Sequence, residues 1–127
     1  MREIKFRGKD LKTGNWVCGD LLSNTPDKRC FIQPKEYDMD PIKANKETVG
    51  QYTGLTDKNG TKIFEGDILR LCEGTYPCEI YWSGISWAIK RNGKRVDYAF
   101  GCDLISDCEK MQIIGNIYDN PELLKEN

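Results

Sequence analysis

The sequence predicts a mainly β protein: a small antiparallel, bent sheet or an SH3-like barrel, with an N-terminal hairpin and a short C-terminal helix. Three observations carry this prediction. Turn-forming residues recur at close intervals along the 127 residues, and the segments between them are short and rich in β-branched and aromatic side chains. Two turn pairs, Ser83-Gly84 and Asn92-Gly93, fold residues 78–100 into three strands that agree on one apolar face. Near the end, Asn120-Pro121 reads as a helix start, with Asn120 as N-cap and Pro121 at the first helical position, where its missing N–H costs nothing.

The elements follow in order. Residues 2–7 alternate charged and apolar, placing Ile4 and Phe6 on one face. Residues 9–15 (KDLKTGN) are turn formers, and residues 16–22 supply the second arm of a hairpin. Residues 30–33 form a short strand. The polar, proline-containing stretch 34–46 reads as an irregular excursion with room for one helical turn, and residues 48–53 as a further strand. Asp57-Lys58-Asn59-Gly60 is a tight turn, because Asn and Gly tolerate positive φ. Glu65-Gly66-Asp67 is a second bend, leading into a strand at 68–72.

In the meander, the expected pairs are Trp82 with Ile85, Ile80 with Trp87 and Cys78 with Ile89. Across the second turn they are Ile89 with Val96, Trp87 with Tyr98 and Ile85 with Phe100. A slip of one residue would scatter this face. Residues 111–118 are the last strand. No linker rich enough to separate domains is visible, so a single domain over 1–127 is expected.

Composition narrows the function classes. A chain of this length buries roughly two-thirds of the surface its unfolded form exposes, enough for a core without metal or disulfides. Nineteen basic residues against twenty acidic ones give a formal net charge of −1, so no global field draws nucleic acid or an anionic membrane. The opening MREIKFRGKD has no apolar stretch resembling a secretory leader, and no apolar run approaches a membrane span of ~20 residues. A cytoplasmic protein with reduced thiols is expected.

The absence of histidine removes Ser-His-Asp and Cys-His dyads and every His metal site. The pairs Cys72/Cys78 and Cys102/Cys108 are spaced too loosely for a zinc knuckle, so small buried hydrophobes are the better reading. Glu65 and Asp67 could hold Mg²⁺ or act as acid and base, but a bend whose carboxylates satisfy backbone N–H groups explains them better. The turn at 57–60 resembles part of a calcium loop and lacks the distal glutamate. No catalytic, cofactor-binding or metal-binding residue is assigned, and no cofactor is expected. The remaining constellation is Lys90, Arg91, Lys94 and Arg95 around one hairpin tip, a candidate nucleic-acid contact weighed against a solvated turn that keeps the hairpin soluble.

Three stretches resemble the YopX family of phage- and prophage-encoded proteins: REIKFRGKDLKTGNWVCGDLL at 2–22, ETVGQYTGLTDKNGTKIFEGDIL at 47–69 and IIGNIYDNPELL at 113–124. The central block is the most specific. One departure is Gly8-Lys9, where many members carry an aromatic residue. The resemblance implies a mostly β fold and a phage or prophage origin, and it carries over no catalytic residue. The expectation is an accessory protein without chemistry of its own that binds a phage or host protein, with homo-oligomerisation through open strand edges. The alternative is a small nucleic-acid-binding β-barrel module using the hairpin at 90–95.

Overall fold

The computed structural model describes residues 5–22, 30–34, 39–70, 76–84, 87–91, 94–95 and 109–124, the pair 94–95 by backbone alone. Their contacts group into two compact units, residues 1–52 and 53–127, with the boundary inside one strand. The architecture is mainly β, with two antiparallel sheets.

The first unit begins with β1 (Phe6–Lys9) and β2 (Trp16–Leu22), the expected hairpin. The turn between them is knit locally. Asp10 Oδ1 accepts from the Lys12 N–H at 2.8 Å, Thr13 Oγ1 from the Asn15 N–H at 3.1 Å, and the Asp10 carbonyl from the Gly14 N–H at 2.8 Å. β3 (Cys30–Gln33) pairs with β2, pressed so close at Gly19 that a Cβ there would overlap the Gln33 carbonyl.

The stretch 34–46 is not wholly irregular. It contains β4 (Ile42–Ala44), paired with β3. Its two apolar residues point inward and Lys43 points out, a period of two that three residues are too few to reveal in sequence. The helical turn is a 3-10 turn at Lys46–Thr48, capped by the Asn45 side chain accepting from the Glu47 N–H at 3.1 Å. A bridge between Asp10 and Ala44 draws β4 back toward the end of β1 and curls the sheet.

β5 (Gly50–Thr56) opens beside β1, with Phe6 opposite Gln51 and Arg7 opposite Gly50, and it crosses the boundary. In the second unit its far half neighbours β6 (Lys62–Phe64) around the 57–60 turn. Gly66, at φ 91°, makes the bend into β7 (Asp67–Arg70). β8 (Cys78–Trp82), β9 (Trp87–Arg91) and β10 (Lys94–Arg95) follow. β11 (Gln112–Asn116) returns to the free side of β7. The sheet orders are β4-β3-β2-β1-β5-β6 and β10-β9-β8-β7-β11. Both are open among the described residues, so the bent-sheet reading holds and the SH3-like barrel does not.

The first hairpin of the meander, β8–β9, is shifted from its expected register by two residues, while β9–β10 keeps the expected one. Ile80 faces Ile89 and Trp82 faces Trp87, because four residues (83–86) separate the strands where a two-residue turn was expected. A shift of two keeps side chains on their face, so Cys78, Ile80, Trp87 and Ile89 still share one. Cys78, Ile80 and Ile89 join Ile63 and Leu69 in the core, with Leu55, Trp87, Met111 and Ile113 packed against them. Trp82, expected inside, is 47% exposed at the hairpin end, with its ring edge-on to Trp87 at 5.1 Å. Ile85, Val96, Tyr98 and Phe100 lie outside the described residues.

The C-terminal helix is a 3-10 turn at Pro121–Leu124, preceded by Asn120 as expected. The Asn120 side chain turns back, however, and its Oδ1 accepts from the Asn116 N–H at 3.3 Å.

Candidate functional site

The basic hairpin takes its shape from strand alternation. Arg91 lies opposite Lys94 and Lys90 opposite Arg95, the register an Asn-Gly turn gives. Successive residues of a strand point to opposite faces, so Lys90 and Arg91 diverge. The Lys90 ammonium lies 4.7 Å from the Tyr81 ring centroid and 4.0 Å from Glu79 Oε2. The Arg91 guanidinium lies on the other face, 4.5 Å from the Tyr76 ring centroid. The two cations are held apart by aromatic partners and do not converge on one ligand position.

Glu79 is half-buried, and burial together with the nearby Glu65 pushes its carboxyl above the usual range, with Lys90 opposing. The other carboxylates of the turns do structural work. Asp67 Oδ2 accepts from the Phe64 N–H at 2.8 Å, closing the bend around Gly66. Asp57 Oδ1 accepts from the N–H groups of Asn59 and Thr61 at 2.9 Å each, and Oδ2 accepts from Ile113 on β11 at 3.1 Å. Burial raises the Asp57 pKa, and the three backbone donors outweigh it, leaving the carboxyl below its ordinary value. This long-range role was not legible, since DKNG reads as a turn whether or not another strand docks on it.

Cys18 and Cys30 are free thiols on the first unit's strands, and Cys78 is a buried one whose pKa burial pushes up, disfavouring the thiolate. Cys72, Cys102 and Cys108 lie outside the described residues. Among the described residues there is no group of three or more metal-ligating side chains, and no helix is long and apolar enough to cross a membrane.

The feature that sequence reading missed is a cleft of about 450 Å³ in the first unit. Its lining includes Leu11 and Lys12 of the β1–β2 turn, Phe31 on β3 and Ile42 on β4. Met39, Asp40 and Pro41 also line it, tied down by Gln33 Nε2 donating to the Met39 carbonyl at 2.9 Å. Leu11 and Met39 stand about half exposed. Asp10 and Lys43 complete the lining, so acids and lysines share it. The cleft needs β4 to exist, and β4 is the strand the sequence hides.

Two antiparallel sheets, open among the described residues, define a small, mainly β protein. The YopX protein family model matches residues 5–125, and the chain belongs to the YopX family. Among solved structures it is similar to protein EF1440 from Enterococcus faecalis, at 24% identity and a TM-score of 0.62, over 98% of this chain and 100% of that one. That likeness concerns the fold. No curated protein matches the chain.

Proposed function

We propose that this YopX-family protein is a phage- or prophage-encoded accessory protein of the host cytoplasm that works by binding another protein and catalyses nothing itself. The observation that supports this reading is the cleft under the N-terminal hairpin. Its lining combines apolar residues, two of them (Leu11 and Met39) half-exposed, with charges of both signs. Such a lining suits an anchoring side chain on a partner segment, with the charges fixing its register. The lack of histidine anywhere in the chain favours binding over catalysis.

The experiment is affinity capture from the host, comparing the parent with the double variant Leu11→Asp/Met39→Asp and with Leu22→Asp. Leu22 is similarly exposed and lies outside the cleft. A partner retained by the parent and by Leu22→Asp, and lost by the double variant, supports the reading. A partner retained equally by all three proteins overturns the cleft as its site.

A further inference from the structure

The strand that opens the first unit carries cations at every second position. Lys5 stands at the entry of β1, and Arg7 and Lys9 lie within it. Strand alternation puts all three on one face, at intervals of about 6.6–6.8 Å. Of the opposite parity Gly8 is buried, and a Cβ on it would meet Ala44 Cβ and Val49 Cγ2 at 3.1 Å each, while Phe6 and the three cations are all partly buried. Across the hairpin, Trp16 pairs with Lys9 and Cys18 with Arg7, so the outer face of β2 adds an indole to the row of cations. The Arg7 guanidinium lies 4.6 Å and the Lys9 ammonium 5.5 Å from the Trp16 ring centroid. Cys18 on this face is exposed, and Trp16 is partly so. One further step of the register brings Asp20 beside Lys5, which offsets part of the charge there.

We propose that this face of the β1–β2 hairpin is a binding surface for single-stranded nucleic acid, with Lys5, Arg7 and Lys9 tracking successive phosphates and Trp16 with Arg7 receiving a base. Charge and stacking together select this partner. A row of cations along a strand matches a linear polyanion. An indole flanked by a guanidinium offers the π-surfaces on which bases stack without sequence preference. A duplex buries its bases from such a platform, and a protein carboxylate would use the charges and leave the indole idle. Lys5, Arg7, Lys9 and Trp16 also make contacts within the protein, so the row is held in place before a ligand arrives. This inference is independent of the cleft, which lies on other residues. It also differs from the hairpin at 90–95, whose described cations diverge.

The test is titration of the full chain with a short oligothymidylate at several salt concentrations, read by anisotropy of a label on the oligonucleotide. A second reading is the fluorescence of Trp16 in a Trp82→Phe/Trp87→Phe background, where it is the remaining tryptophan of three. We expect Trp16 emission to be quenched. We also expect log affinity to fall with log salt at a slope of about −2, the value for three phosphates on a single strand. In Lys5→Gln/Lys9→Gln, checked for folding by circular dichroism, the slope should shrink to about −0.7. Four outcomes overturn the proposal: no binding by the parent at low salt, binding without a change at Trp16, equal competition by polyglutamate, or loss of binding on substitution of 90–95 with none in Lys5→Gln/Lys9→Gln.

Discussion

Asp57 and Glu79 are two carboxylates of the same unit whose environments act in opposite directions. Asp57 accepts three backbone N–H bonds, and its pKa is depressed. A depressed folded pKa means that its stabilisation is complete above the ordinary carboxylate value of about 3.9, and is lost as pH falls through the lower folded one. Asp57→Asn leaves at least one of the three donors facing an amide NH₂, and should cost about 1–3 kcal/mol at neutral pH. That loss should disappear in acid, as followed by urea unfolding at a series of pH values. Glu79 has the opposite sign. Its raised pKa makes the charged form unfavourable in the fold, so stability declines as pH rises through the folded value. Glu79→Gln should therefore be neutral or stabilising at pH 7 by less than about 1 kcal/mol, since the ion pair it gives up is long and partly solvated. A clear destabilisation in the same measurement would show that the contact with Lys90 outweighs burial. The sequence announced Asp57 only as a turn former. Its partner on β11 is 56 residues away, and nothing in a local pattern encodes such a contact.

Strands were legible where alternation ran long enough to be read. The bounds of β2 and β3 match the sequence reading because turn formers bracket each, and β4 was missed because three residues beside prolines carry too little pattern. Among the described residues Cys78, Ile80, Trp87 and Ile89 share the expected face, and the second turn keeps its register, but the first does not, since Ser83-Gly84 promised a two-residue turn and four residues separate β8 from β9. That difference moves Trp82 opposite Trp87 and fixes an expectation for the pair. Trp87 packs on the core and Trp82 projects from it. Trp87→Ala should cost about 3 kcal/mol, the low end for a large aromatic that is not fully buried, and Trp82→Ala clearly less. Their coupling in a double-mutant cycle should be about 0.5–1.5 kcal/mol, the value of an edge-to-face pair. A coupling near zero would mean that the rings do not meet in solution. The cleft was illegible for the same reason as β4, because its lining comes from segments that look unrelated until the strand between them is seen.

At the scale of the molecule, among the described residues the end strands β6, β10 and β11 each border a single strand in their sheet. We expect weak self-association through such edges, seen as a rise in weight-average mass with concentration in sedimentation equilibrium. A constant monomer mass at the highest soluble concentration would overturn it. The return of β11 to β7 also sets a timetable during synthesis. The first unit is complete once residue 52 has emerged, but Ile113 must emerge before β7 has its second neighbour and Asp57 its third donor. At roughly 5–20 residues per second, the ribosome needs about 3–12 s for that stretch. During those seconds the nascent chain would carry the first unit together with a β7 that still lacks one neighbour. A chaperone or a premature partner would meet that bare edge of β7 first.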